Sequence, residues 1–135
     1  MTTHATGTFE GKSWDEKPYD QVEGLPKLTR VSSTNAFKGG VEGEGTLEYL
    51  VAYRDGNSGS FVGLERVIGR IDGRSGSFVL QHNGTFEGRT ARGDWFVVPG
   101  SGTGDLRGLR GAGGYVWQGQ EGEQQVLYTL DYDFE

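Results

Sequence analysis

The stretch GLERVIGRIDGRSGSFVLQHNGTF, residues 63–86, decides how the chain folds. Asp72-Gly73 sits near its middle, between two runs rich in Val, Ile, Leu and Phe. That dipeptide is a strong signal for a two-residue type I′ hairpin, because both central positions of such a turn need a positive φ, which Asp and Gly tolerate. The turn sets the register: Val67 is expected opposite Phe78, Glu65 opposite Leu80 and Gly63 opposite His82. Side chains alternate between faces along a strand. One face therefore carries Phe61, Gly63, Glu65 and Val67 with Phe78, Leu80, His82 and Phe86, while Val62, Leu64, Arg66 and Ile68 lie on the other. A three-residue turn would reverse the parity and set Gln81 beside Glu65 instead.

Working outward, segments of alternating or β-rich character lie near 5–14, 27–37, 44–54, 60–70, 76–87, 92–98, 103–117 and 124–134. Turn signals separate them: Lys17-Pro18 to Leu25-Pro26, Lys38-Gly39-Gly40, Asp55-Gly56-Asn57, Asp72-Gly73, Gly88 to Ala91, Pro99-Gly100 and Gly119 to Glu123. Every candidate helix is broken by glycine. Eight strands with short links predict one all-β domain spanning 1–135, an eight-stranded antiparallel up-and-down barrel, since closure removes exposed edges. A two-sheet sandwich is the alternative. In the last strand Val126, Tyr128, Leu130, Tyr132 and Phe134 share one face. A turn around Gln120-Glu121 would bring Tyr115 and Trp117 to that face and set Gly111 and Gly113 opposite Leu130 and Tyr128. Trp14, where the first strand meets its loop, reads as a barrel plug.

The glycine-rich run VVPGSGTGDLRGLRG, residues 97–111, invites a phosphate-binding reading. A P-loop needs Lys and Ser/Thr after its glycines, then a helix whose amides face the phosphates. Here Asp105 follows Gly104, and the glycines at 108, 111, 113 and 114 oppose a helix. The run is read as a strand ending at Val98, a turn over Pro99–Gly102 and a glycine-rich strand leaving it.

A net charge of −6 argues against nucleic acid or an anionic membrane as partner. With no cysteine and two histidines, neither a disulfide framework nor a zinc site is expected. The N-terminus has no apolar stretch of the signal-peptide kind, and a cytoplasmic location is expected. Aromatic residues make up 12% of a chain that is only 33% hydrophobic, so a few large rings must supply much of the burial.

Candidate chemistry centres on the hairpin face. Glu65 and His82 are diagonal neighbours there, a carboxylate and an imidazole among aromatic rings, and form a candidate acid/base pair. Phe61, Phe78, Phe86, Trp117 and Tyr128 are the candidate ligand-binding rings. Glu44 and Glu48 read as a wet strand face, and Tyr49 and Tyr53 as core.

The 63–86 and 97–111 strings, together with the opening TGTFEGKSWDEKPY and the closing YTLDYDF, resemble a family of small bacterial proteins known as a domain of unknown function. The similarity covers nearly the whole chain. That family is associated with the allene oxide cyclase-like barrel, and GSGTGDLRGLRG is similar to a glycine-rich strand start of plant dirigent proteins. The resemblance implies an eight-stranded barrel with an internal cavity, cofactor-free steering of a reactive small molecule, and a homo-oligomer. Fold analogy does not assign function. Three functions follow as expectations: a cofactor-free cyclase or isomerase acting on a small apolar molecule, a carrier or sensor for such a ligand, and a structural barrel with a filled core.

Overall fold

A computed structural model of the protein describes residues 2–118 and 125–135. Over these residues the chain forms β1 (Thr3–Asp20), β2 (Leu28–Gly39), β3 (Val41–Tyr53), β4 (Ser58–Ile71), β5 (Arg74–Glu87), β6 (Thr90–Val97), β7 (Leu109–Trp117) and β8 (Gln125–Phe134), with one 3-10 turn at Gly104–Leu106. Each strand pairs antiparallel with the next, and β8 pairs back onto β1, closing the barrel. Closure excludes the sandwich.

The β4–β5 hairpin has the register expected from its turn. Asp72 and Gly73 have φ of 51° and 77°, the signs a type I′ turn demands. Val67 pairs with Phe78, Glu65 with Leu80 and Gly63 with His82. Inward positions then stack in register rows. Nearest the end that carries the 21–27 and 54–57 loops lie Tyr53, Gly59, Phe86, Ala91 and Trp117. The next row holds Val51, Phe61, Gly84, Gly93, Tyr115 and Tyr128. Below it come Tyr49, Gly63, His82 and Trp95, then Leu47, Glu65, Leu80 and Val97. Phe9, Phe37, Trp95, Tyr115 and Tyr128 fill the middle, with Phe9 5.3 Å from Phe37 and 5.4 Å from Tyr115 between ring centroids.

Three expectations need correction. The strand expected over 103–117 begins only at Leu109. Ahead of it, Pro99 and Gly100 form a turn closed by the Ser101 amide donating to the Val98 carbonyl (3.0 Å), with Gly100 at φ 80°. The chain then runs along β5, where the Thr103 amide donates to the Ser77 carbonyl (2.8 Å) and the Val79 amide donates to Ser101 Oγ (3.0 Å). It tucks Leu106 into the barrel end with no exposed surface. The β7–β8 register is displaced by two residues, so Gly111 faces Tyr132 and Gly113 faces Leu130. The turn expected at Gln120-Glu121 lies outside the described residues. Gln120-Glu121 has no glycine or asparagine to impose positive φ, so it specified the register weakly; a shift of two leaves every side chain on its expected face.

Trp14 is no plug. It pairs with Ser33 on the barrel-facing side, yet it is 62% exposed. β8 covers β1 only as far as Glu10, and a bulge follows between Gly11 and Ser13. Beyond that point β1 is the edge of a sheet in which β2 stays paired with β3 over Leu28–Phe37. Lys12, Asp15, Lys17 and Pro18 on this edge are residues that discourage edge-to-edge pairing.

Candidate functional site

Glu65 and His82 both point into the barrel, and neither has any exposed surface. His82 Nε2 lies 2.9 Å from Glu65 Oε1. The other carboxylate oxygen accepts from Asn35 Nδ2 at 2.8 Å. On the far side of the imidazole, Nδ1 lies 2.7 Å from the Tyr115 hydroxyl and 3.2 Å from that of Tyr49, and the two hydroxyls are 2.9 Å apart. Asn35, Glu65, His82, Tyr115 and Tyr49 therefore form one hydrogen-bonded series. It steps from the Glu65 row through the His82 row to the Tyr115 row, towards the end of the barrel marked by Tyr53 and Trp117.

Proton counting gives the series a direction. A carboxylate can only accept, so with Glu65 ionised His82 carries its proton on Nε2 and donates it there. Nδ1 then accepts from Tyr115, and Tyr115 accepts from Tyr49. Burial, then Tyr49 and the charge of Glu65, push the Tyr115 hydroxyl far above its ordinary range. Burial also raises Tyr49, though its hydrogen bond with Tyr115 works against this. Both tyrosines stay protonated and act as donors. Among the described residues no buried polar side-chain atom lacks a partner.

Glycines make the room for this series. A Cβ on Gly45 would stand 2.1 Å from Glu65 Oε2, one on Gly63 2.5 Å from the Tyr49 ring, and one on Gly93 2.5 Å from the Tyr115 ring. Gly45 lies between Asn35 and Val67 in the ladder. The Glu65 carboxylate occupies the space above it and so reaches across β3 to Asn35 on β2.

The expected ligand rings are distributed along the barrel. Phe61 packs on Tyr49 at 4.7 Å, next to the polar series. Phe78 is fully buried opposite Val67, nearer the Asp72 turn. The Tyr128 hydroxyl accepts from the Val41 amide at 2.9 Å and donates to the Lys38 carbonyl at 3.0 Å, tying β8 to the β2–β3 turn. Phe86 and Trp117 are half-buried in the outermost row.

Around Phe86 lies a second polar group. Phe86 packs edge-on against Tyr53 at 5.4 Å, and the Tyr53 hydroxyl donates to Glu16 Oε2 at 2.5 Å. Thr29 donates to the same oxygen at 2.7 Å, and Lys27 Nζ sits 4.8 Å above the Tyr53 ring. Partial burial raises the Glu16 carboxyl, but hydrogen bonds from Tyr53, Thr29 and Trp14 and the charge of Lys27 outweigh it, and the net shift is downward. Burial and the Glu16 carboxylate push Tyr53 up to about 12. Two hollows adjoin this ring: one of about 560 Å³ between the 21–27 loop and Asp55–Gly56, and one of about 400 Å³ bordered by Gly59 and Phe86. Among the described residues no three His, Asp or Glu side chains gather as a metal site would require.

Sequence reasoning placed Glu65 and His82 but not Asn35, Tyr115 and Tyr49 as their partners, nor the pairing of Glu16 with Tyr53. Gly45 was the usable signal. With Gly43 it stands at an inward position of a strand whose other inward places hold Val41, Leu47, Tyr49, Val51 and Tyr53, and so leaves a gap that a long neighbouring side chain must fill.

A family model described as "Protein of unknown function (DUF3224)" matches residues 5–132. A solved protein of that family from Shewanella oneidensis MR-1, itself of unknown function, is 32% identical. The match covers 100% of this chain and 98% of that one, with a TM-score of 0.82. No curated protein matches the chain.

Proposed function

Because the chain belongs to the DUF3224 family of proteins of unknown function, we propose a function from the site itself: the barrel binds a small apolar molecule carrying a carbonyl or hydroxyl oxygen, and Tyr115 is the group that touches it. The observation that carries this reading is the unbroken series from Asn35 through Glu65 and His82 to the two tyrosine hydroxyls. Enclosing a carboxylate in an aromatic core costs several kcal/mol before its partners offset it. A barrel that needed only to fold would be served by apolar residues at these places, and local exceptions of this kind concentrate at functional sites.

The entrance is the Tyr53–Phe86 end, where two hollows meet one ring. A ligand entering there meets Phe61 and Tyr115 before His82, one register row below. Against a ligand carbonyl, the Tyr115 proton turns from His82 Nδ1 to the ligand oxygen and Tyr49, 3.2 Å from Nδ1, donates there in its place; against a ligand hydroxyl, Tyr115 keeps its bond to Nδ1 and accepts. In a cofactor-free isomerisation or ring closure, the Tyr115 oxygen takes a proton from the ligand while its own proton passes to His82 Nδ1. The imidazolium is held by Glu65 until the proton returns to a different ligand atom. His82 and Glu65 thus act through Tyr115 as positioning and proton-holding residues.

The complete pairing of the series and the zero exposure of Glu65 and His82 favour a second reading, a structural barrel with a filled interior. Thermal-shift measurements with a panel of small apolar ketones, enones and alcohols, alongside native mass spectrometry of the purified protein, separate the two. The binding reading expects a retained or added molecule that stabilises the protein, with Tyr115→Phe losing that effect while remaining folded. If no compound binds, and Tyr115→Phe behaves as wild type, the structural reading stands.

A further inference from the structure

A phenol gives up an electron readily only if its proton leaves as well, because the oxidised phenol is a strong acid. A tyrosine that donates to a base is therefore easier to oxidise than one that does not. The chain has six tyrosines, and they differ in this respect. The Tyr115 hydroxyl lies 2.7 Å from His82 Nδ1. Tyr49 stands farther from Nδ1, at 3.2 Å, and donates to Tyr115. Tyr128 donates to a main-chain carbonyl, a poor base, and Tyr53 to the Glu16 carboxylate, a weaker base than imidazole. Tyr115 is thus the tyrosine best placed to lose its proton.

Electrostatics favour the same step. No lysine or arginine is buried among the described residues, so the ionised Glu65 and neutral His82 leave one negative charge in the interior with no cation beside it. Taking an electron from Tyr115 and passing its proton to Nδ1 leaves a neutral phenoxyl oxygen and an imidazolium. That imidazolium lies 2.9 Å from the carboxylate. The enclosed charge is then cancelled, and a cation beside a buried carboxylate relieves the cost of burying it.

The Tyr115 ring is enclosed on the inside and thinly covered on the outside. Trp95 and Phe9 pack on it at 5.0 and 5.4 Å between centroids. Across the ladder stands Gly93, where a Cβ would lie 2.5 Å from the ring. The bare backbone of β6 therefore forms the wall at this point. Beyond it is a hollow of about 810 Å³ on the outer surface, bordered by Arg92, Asp94, Gly114 and Thr129. An electron crosses such a layer where a molecule cannot.

We propose that Tyr115 is a redox tyrosine, which donates one electron through the wall at Gly93 to an organic peroxyl radical outside while its proton moves to His82 Nδ1. The peroxyl radical takes the electron and a solvent proton and leaves as a hydroperoxide. The O–H bond of Tyr115 breaks, an N–H bond forms on His82, and the phenoxyl oxygen accepts from Tyr49 and from the new Nδ1–H. A small thiol then returns an electron, releases its own proton to solvent and leaves as a thiyl radical, while the His82 proton goes back to Tyr115. The rings of Phe9 and Trp95 keep the tyrosyl radical from meeting a second protein molecule, the ordinary route by which such radicals are lost. The inference uses the series on which the ligand reading rests but needs no ligand bound, so either can fail while the other stands.

Flash oxidation of the ligand-free protein by ruthenium tris-bipyridine with a cobalt(III) electron acceptor tests it. The radical is followed by its phenoxyl absorption and identified by electron paramagnetic resonance with ring-deuterated tyrosine. Wild type is expected to give a tyrosyl radical that outlives that of free tyrosine at least about tenfold. Tyr115→Phe should lose this long-lived signal, and Tyr132→Phe should keep it. Glu65→Gln keeps the shape but removes the enclosed charge, and should slow formation of the signal at least about tenfold. Alkylperoxyl radicals from a water-soluble azo initiator should raise the same signal in wild type, and a small thiol should discharge it. Circular dichroism checks that each variant is folded, and the wild-type lifetime is decisive without any variant. A wild-type radical that decays like free tyrosine, sits on tryptophan or persists in Tyr115→Phe overturns the inference. So does a Glu65→Gln protein that forms the radical as fast as wild type, or a Tyr115 that peroxyl radicals leave unoxidised.

Discussion

His82 Nε2 lies 2.9 Å from Glu65 Oε1, and neither side chain has any surface exposed. The two residues depend on each other unequally. Replacing His82 by Ala leaves a carboxylate with one remaining donor, Asn35, in a closed aromatic interior, and breaking a buried pair in this way costs about 3–5 kcal/mol. Replacing Glu65 by Gln keeps the shape and removes the charge, but puts an amide donor against either Asn35 Nδ2 or His82 Nε2. A change of His82 tautomer absorbs part of that, leaving a cost of about 1–3 kcal/mol. Urea denaturation should rank the variants in that order. A Glu65→Gln protein less stable than His82→Ala would contradict the proton assignment in the series.

Gly45 should be nearly as intolerant as the residues it accommodates. A methyl group there would lie 2.1 Å from Glu65 Oε2. Gly45→Ala is expected to destabilise by about 1–3 kcal/mol through overpacking. Its cost should shrink when Glu65 is Ala, because the clashing atoms are gone. A double-mutant cycle reads this directly, and a coupling energy indistinguishable from zero would show that the carboxylate does not rest on Gly45.

What the sequence disclosed and what it withheld follow the range of the interactions. Asp72-Gly73 is a local turn with one geometry, so it set the β4–β5 register and put Glu65 and His82 on the inner face. The start of β7 and the β7–β8 register were missed because their cues were weak: glycines at 102, 104 and 108 allow a loop as readily as a strand, and Gln120-Glu121 imposes no turn type. Asn35, Tyr49 and Tyr115 meet the hairpin pair across inward glycines, Gly45, Gly63 and Gly93, and so through the register of strands outside the hairpin. Asn35 lies on a strand that is not even adjacent to β4, and no periodicity encodes that meeting. Trp14 was misplaced for a related reason, since the alternation gives its face but not the point at which β8 stops covering β1. The closed eight-strand barrel agrees with the expectation from the strand count, and membership in the domain-of-unknown-function family agrees with the resemblance in its glycine-rich strings.

Glu16 and Tyr53 give the barrel rim a pH dependence of calculable sign. The folded Glu16 value is lowered from the ordinary 4.5, so its contribution to stability is fully present above that pH and is lost as pH falls through the folded value. Tyr53 is raised from 10 to about 12, so its contribution is complete below pH 10 and is lost as pH rises towards 12. Tyr53→Phe removes the hydroxyl from Glu16 Oε2. Thermal midpoints across pH should then fall less steeply at both extremes in Tyr53→Phe than in wild type. Identical profiles for the two proteins would mean that the hydrogen bond does not persist in solution.

The loop that first invited a phosphate-binding reading closes the opposite end of the barrel, and Leu106 is the residue through which it does so. Gly100 at φ 80° lets the chain reverse after β6, and Ser101 and Thr103 bond to the β5 backbone. Gly102 and Gly76 allow the close approaches this path needs: a Cβ on Gly102 would stand 2.0 Å from the Leu106 carbonyl oxygen, and one on Gly76 2.0 Å from that of Thr103. These constraints deliver the Leu106 side chain to a position with no exposed surface. Leu106→Ala should therefore cost about 2–5 kcal/mol, the range for a buried leucine whose surroundings relax only partly. Asp105→Ala, one residue away on the exposed side, should change stability by less than about 0.5 kcal/mol. The run also supplies no cation for an anion at its glycines, so phosphate should not raise the thermal midpoint beyond its general salt effect, for which sulfate at equal ionic strength is the control. Equal and small costs for Leu106→Ala and Asp105→Ala would show that the loop does not cap the barrel. A phosphate-specific stabilisation lost on Gly102→Val would restore the anion-binding reading.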